Sequence, residues 1–176
     1  MKIICMIPAR FGSQRVKKKN LRLINNKPLI QFIIDTVKKC NYFDEIYINS
    51  ESDIFEKIAK KNSIKFYKRP KNLSTNRSTN DEFALDFINN IHGDILVQVL
   101  PTSPLISIDE INKFIKFFKT KKLDTLISVY NNKIASVYKK KAINFHKLKK
   151  NPPSQEMIPV QSYATVLMAW KINNFK

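Results

Sequence analysis

Compact apolar runs rich in Ile and Val stand at 2–7, 45–49, 64–67, 94–100 and 124–129, and the segments between them carry a helical rhythm. Leu29, Ile33, Val37 and Cys40 share one helical face, as do Ile54, Phe55, Ile58 and Ala59, then Phe83, Phe87, Ile88 and Ile91, then Ile108, Ile111, Ile115 and Phe118. Thr79 with Glu82 and Ser107 with Glu110 read as capping boxes opening two of these helices. Strands that are apolar on both faces, alternating with amphipathic helices, predict a doubly wound, mostly parallel α/β sheet with helices on both sides. The length fits one domain, 1–176. Beyond Val129 the pattern weakens into a Lys-rich, then Pro-rich stretch, so 130–162 reads as a projecting arm, followed by a strand at 163–170. The chain ends shortly after that strand, where another helix is expected, as in a C-terminally truncated domain.

Ligands of such sheets bind beyond the carboxyl ends of the strands, which brings the loops starting near Pro8, Ser50, Lys68 and Pro101 to one rim. The first of these loops, IPARFGSQRVKKKN at 7–20, crowds Arg10, Arg15, Lys17, Lys18 and Lys19 together. Like charges repel, so the loop requires either open water or an anion. The whole chain carries 32 basic and 14 acidic side chains, a net charge of +18, which points to phosphates on a nucleotide, a nucleic acid or a membrane. Lys, Asn and Ile are abundant everywhere, so a general codon preference explains part of that excess.

The glycine count narrows the options. The dinucleotide fingerprint and the P-loop need several glycines, and the chain holds only Gly12 and Gly93. The loop must therefore hold phosphate differently: Gly12 and Ser13 turn backbone amides inward, Arg10 offers a planar fork, Lys19 a point charge, and Asn20 a closing amide. Cys5 and Cys40 form neither a disulfide framework nor a zinc spacing, which suits a reducing cytoplasm. The N-terminal apolar run is too short for a signal-peptide core, and no stretch reaches transmembrane length.

IPARFGSQRVKKKN followed by INNKPLI, RPKNLS at 69–74, and PTSPL at 101–105 stand in the order and spacing of three signature elements. Together they resemble the CMP-sialic acid synthetase-like cytidylyltransferases, which activate acidic sugars. The resemblance implies a Rossmann-like fold of the nucleotide-diphospho-sugar transferase type. It also implies transfer of CMP from CTP to a nonulosonate or deoxyoctulosonate sugar, for surface polysaccharide or lipopolysaccharide assembly. Arg10, Ser13, Lys19 and Asn20 are carried over as triphosphate and ribose contacts, joined by Gly12, with Ala9 meeting the base through its backbone. Arg69 and Asn80 lie near the nucleotide, and Gln98, Thr102 and Ser103 on the sugar side. Arg10 and Lys19 are the catalytic cations, Mg2+ comes with CTP, and the arm meets a second subunit in a homodimer.

The chain departs from the family pattern at several positions. Leu100 stands where a Gln usually precedes PTSPL, with Gln98 two residues back on the same strand face, and Ile106 stands where an Arg often follows. Asn26 replaces the Gly of G-K-P-L-I, and Ala164 and Thr165 replace a Gly-containing dipeptide beyond SQEMIPV. The resemblance implies an acidic metal-binding pair in a segment later than the point where this sequence stops. A nucleotide-binding relative without turnover therefore stays open. So does a basic nucleic-acid-binding domain, because YKKKAINFHKLKK interleaves Tyr138, Phe145 and His146 with lysines. His92, before Gly93, suits a helix C-terminal cap; neither it nor His146 is assigned a catalytic role.

Overall fold

The computed structural model describes residues 1–175. The first apolar run forms β1 (Ile3–Pro8), and the loop after it leads to a small hairpin of β2 (Leu23–Ile24) and β3 (Lys27–Pro28). The hairpin turns on Asn25 (φ 47°) and Asn26 (φ 60°), left-handed positions that asparagine tolerates. There follow α1 (Leu29–Val37), β4 (Glu45–Ser50), α2 (Asp53–Lys61), β5 (Lys65–Lys68), α3 (Asn80–Asn90), β6 (Ile95–Val99) and α4 (Ile108–Thr120). The remaining strands are β7 (Thr125–Asn132), β8 (Val137–Tyr138), β9 (Lys141–Ala142) and β10 (Val160–Lys171).

The main sheet runs β5-β4-β1-β6-β10-β7. β1 pairs in parallel with both β4 and β6, and β4 with β5, while β10 returns antiparallel to β6. The last strand is thus the one that breaks an otherwise parallel set. Odd-numbered residues of β1 and β6 pack on one side, where Ile3, Cys5, Ile7, Val97 and Val99 join Ile33, Phe55, Ile111 and Ile115 from α1, α2 and α4. The other side receives α3, whose Phe87 ring meets Tyr47 and Tyr67 edge-on at 5.3 and 5.1 Å. Helices therefore cover both faces, as the double-sided apolar strands require.

Both capping boxes form. Thr79 and Glu82 exchange side-chain and backbone hydrogen bonds at 3.3 and 2.7 Å, and Ser107 and Glu110 at 3.2 and 2.8 Å. His92 and Gly93 do not form the expected cap. The C-cap of α3 is Ile91 in an extended conformation, and Gly93 has no positive φ. The reason for glycine there is space, since a Cβ would fall 2.4 Å from Ile4 Cδ1.

The chain divides into two compact units, one of residues 1–126 with 166 onward, the other of 127–165. The expected arm, 130–162, falls within the second. That unit has little core: Met157 is its one buried side chain, and Asn144 binds backbone groups of Ser136 and Ile158, both at 2.9 Å. Its β8–β9 hairpin turns on Lys139 and Lys140, both at positive φ. Thr165, where the sequence lacks glycine, is left-handed at φ 48°, a strained position for a β-branched residue.

Candidate nucleotide site

The carboxyl ends of β1, β5 and β6 meet the start of α3 around a cavity of about 200 Å³, entirely within the first unit. Arg10, Ser13, Lys19, Asn20, Arg69, Asn80, Gln98 and Thr102 all line it, brought together from four separate stretches of chain. Ala9, Gly12 and Ser103 do not. Ala9 is fully buried with its N–H donated to the Asn49 carbonyl at 3.0 Å, which leaves only its carbonyl for a ligand. Ser103 closes a turn, its N–H on the Leu100 carbonyl at 3.2 Å.

The first loop is pinned from below. Phe11 N–H donates to Glu51 Oε1 at 2.7 Å, Arg10 Nη1 to the Thr75 carbonyl at 2.9 Å, and Asn20 Nδ2 to the Arg10 carbonyl at 3.5 Å. Its left-handed turn is made by Lys18 (φ 52°), which leads into the 3-10 turn Lys19–Leu21, and Gly12 has an ordinary backbone. Gly12 turns the chain without a positive φ, the Ser13 N–H donating back to the Phe11 carbonyl at 3.0 Å. Burial, then the charges of Arg15 and Arg10, hold the Lys19 pKa below the usual lysine value.

Arg69 is the most deeply placed cation, with 4% of its surface exposed. Its Nε donates to Asn49 Oδ1 at 2.6 Å and its Nη2 to the Asn49 carbonyl at 2.9 Å, while the guanidinium lies 4.1 Å from the Phe83 ring centre. Burial pushes its pKa down to about 10, with Glu51 acting in the opposite direction and Arg10 in the same one. No carboxylate of the described residues comes within ion-pair distance of it.

Phe83, Asn49 and Glu51 were not singled out from the sequence. Phe83 hid in the apolar stripe of α3. The polar triplet Asn49-Ser50-Glu51, closing an apolar strand, was the available signal for the other two. The lining contains no Asp or Glu, and among the described residues no cluster of three His, Cys, Asp or Glu side chains converges. The cavity's side chains therefore do not fit a protein-held divalent cation.

A doubly wound sheet with a cation-lined rim beyond its strand ends is an α/β protein with its candidate ligand site where such sheets bind ligands. The family model described as cytidylyltransferase matches residues 4–161, and the chain belongs to that family. It is 28% identical over 169 residues to the N-acylneuraminate cytidylyltransferase of Escherichia coli, covering 94% of this chain and 36% of that protein. Against the Streptococcus agalactiae enzyme of the same description it is 30% identical over 133 residues, 73% of this chain and 32% of the relative. A 3-deoxy-manno-octulosonate cytidylyltransferase of Hydrogenovibrio crunogenus is 30% identical over 126 residues, 70% of this chain and 50% of its own length. The chain thus spans about a third to a half of these relatives. In fold it is similar to CMP:2-keto-3-deoxy-manno-octonic acid synthetase complexed with CTP, with a TM-score of 0.76 at 15% identity, covering 99% of this chain and 76% of that one.

Proposed function

We propose that this chain binds CTP and transfers its CMP group to an acidic 2-keto sugar of the nonulosonate or deoxyoctulosonate type, with release of pyrophosphate. The observation that carries the reading is Arg69, a buried guanidinium with no carboxylate partner, facing a cavity whose other charges, Arg10, Arg15 and Lys19, are also positive. Such a set is completed by a polyanion. The relatives' descriptions supply the substrate class.

In this reading the lining residues Arg10, Ser13, Lys19, Asn20, Arg69 and Asn80 hold the nucleotide, and Gln98 and Thr102 face the sugar. A sugar hydroxyl attacks the α-phosphorus and gives up its proton to water, the bond to the bridging oxygen breaks, and pyrophosphate leaves with the electron pair. Negative charge grows on that leaving group, and Arg10 and Lys19, fixed before the reaction begins, stabilise it. No side chain of the cavity would hold a magnesium ion accompanying CTP, which would supply only charge neutralisation on the phosphates.

The test is pyrophosphate release from CTP with N-acetylneuraminate or 3-deoxy-manno-octulosonate, beside calorimetric titration of CTP. Release that Lys19→Met abolishes supports the reading. Binding without release for either sugar reduces it to a nucleotide-binding relative, and no binding overturns it. The proposal extends to a cytoplasmic homodimer in which the 127–165 unit meets a second subunit. The exposed Val137, Tyr138 and Ile143 of that unit support this, and light scattering tests the dimer.

A further inference from the structure

Gln98 lies on β6, fully buried, on the sheet face opposite Val97 and Val99, and forms part of the cavity wall. Its Nε2 donates to Asn80 Oδ1 at 2.6 Å, and Asn80 Nδ2 in turn approaches the Met168 sulfur at 3.8 Å. Gln98 Oε1 has no hydrogen-bond partner. A buried amide oxygen left unpaired is costly, and native folds keep few of them.

The direction of this relay follows from sulfur chemistry. A thioether accepts a hydrogen bond and never donates one, so Asn80 keeps its NH2 toward Met168 and its oxygen toward Gln98. Gln98 must then turn its own NH2 to Asn80, and its carbonyl is the group left over. Residues of α3, β6 and β10 thereby fix an acceptor, rather than a donor, at the wall of a cavity otherwise rich in donors.

We propose that Gln98 Oε1 is a specificity-determining acceptor that reads an O–H or N–H donor on the bound ligand, with Asn80 and Met168 as positioning residues that hold it in that sense. The inference rests on the nucleotide reading above. Two parts of the ligand offer this chemistry: the exocyclic amine of cytosine and a hydroxyl of the sugar acid. In the first case the acceptor also rejects uracil, whose carbonyl oxygen would meet it lone pair to lone pair.

The experiment is calorimetric titration of CTP and UTP, and of N-acetylneuraminate and 3-deoxy-manno-octulosonate onto CTP-saturated protein, for wild type, Gln98→Leu and Met168→Leu. The second variant is a near-isovolume core exchange that leaves the cavity lining intact. If the donor is the base, Gln98→Leu weakens CTP by about tenfold and erases the preference over UTP. If it is a sugar hydroxyl, both nucleotides bind as before and the sugar acid weakens by about tenfold. Met168→Leu gives a smaller loss for the same ligand, since only the orientation of the relay is released. Wild-type CTP binding with every affinity of Gln98→Leu within about twofold of wild type overturns the inference alone. A wild type that binds no CTP overturns the parent reading, and this one with it.

Discussion

Replacing Arg69 by methionine separates the cost of this side chain to the fold from its value to a ligand. Arg69 is 4% exposed, and its pKa stands at about 10, well below the ordinary arginine value, with burial the first cause. A depression of that size makes the charged form about 3 kcal/mol less favourable in the fold than in water. Arg69→Met removes that cost, but it also removes the hydrogen bonds of 2.6 and 2.9 Å to Asn49. The Asn49 Oδ1 left buried there costs about 1–3 kcal/mol, while the Asn49 carbonyl keeps the Ala9 N–H, so the two effects nearly cancel. The ligand-free melting temperature should then move by no more than about 5 °C in either direction. The complex has no such compensation. It loses a desolvated charge pair worth about 3 kcal/mol, which corresponds to a CTP affinity lower by about a hundredfold. Calorimetric titration gives the affinity, and thermal melts with and without CTP give both stabilities from one sample. Arg69→Lys, which keeps the charge and loses the fork, should fall between the two. An Arg69→Met protein that melts normally and binds CTP within about threefold of wild type would refute the reasoning.

Three further outcomes are expected. Because burial and the Arg15 and Arg10 charges lower the Lys19 pKa, bound phosphates should raise it again, so CTP binding takes up protons and weakens as the pH rises through the lowered value. Titration in buffers of different ionisation enthalpy measures that uptake, which Lys19→Met should abolish. Glu45 is held at a pKa of about 2 chiefly by its hydrogen bond with Lys65 at 2.5 Å, with Tyr47 and Lys2 adding to the effect. Its folded pKa is depressed, so its contribution is complete above the ordinary carboxylate range and disappears as the pH falls toward 2. With both lysines solvent-exposed, Glu45→Gln should cost about 1 kcal/mol at neutral pH and nothing in strong acid, read from urea melts. Gly93→Ala puts a methyl group 2.4 Å from Ile4 Cδ1 and should destabilise by about 1–3 kcal/mol without changing CTP affinity; an unchanged urea midpoint would show that Ile4 moves aside freely.

The parallel sheet was legible because β1 and β6 are buried on both faces, so their sequences could not alternate. The cation cluster was legible for a related reason: Arg10, Arg15 and Lys19 lie close in the chain, and their mutual repulsion can be read without coordinates. What escaped depends on contacts between distant segments. Phe83 follows the helical period that core residues follow, and only the fold reveals that its ring lies beneath Arg69. Lys18 carries the left-handed residue of the first loop, ahead of a short 3-10 turn, and no local pattern announces it. His92, standing before Gly93, likewise read as a cap, whereas what the glycine answers to is Ile4, far away in sequence. The sense of the Gln98 amide requires α3, β6 and β10 at once.

The absence of any Asp or Glu from the cavity lining has a practical consequence for anyone measuring this protein. Charges of one sign, gathered where water is partly excluded, behave as a small ion exchanger, and they respond to phosphate groups more than to the molecule that bears them. Inorganic phosphate in a buffer competes for the same cations, so an affinity taken there understates the one in a chloride medium of equal ionic strength. Pyrophosphate, if the proposed transfer takes place, leaves the reaction already suited to the place it came from. A progress curve would then flatten well before CTP is exhausted, and added pyrophosphatase would straighten it.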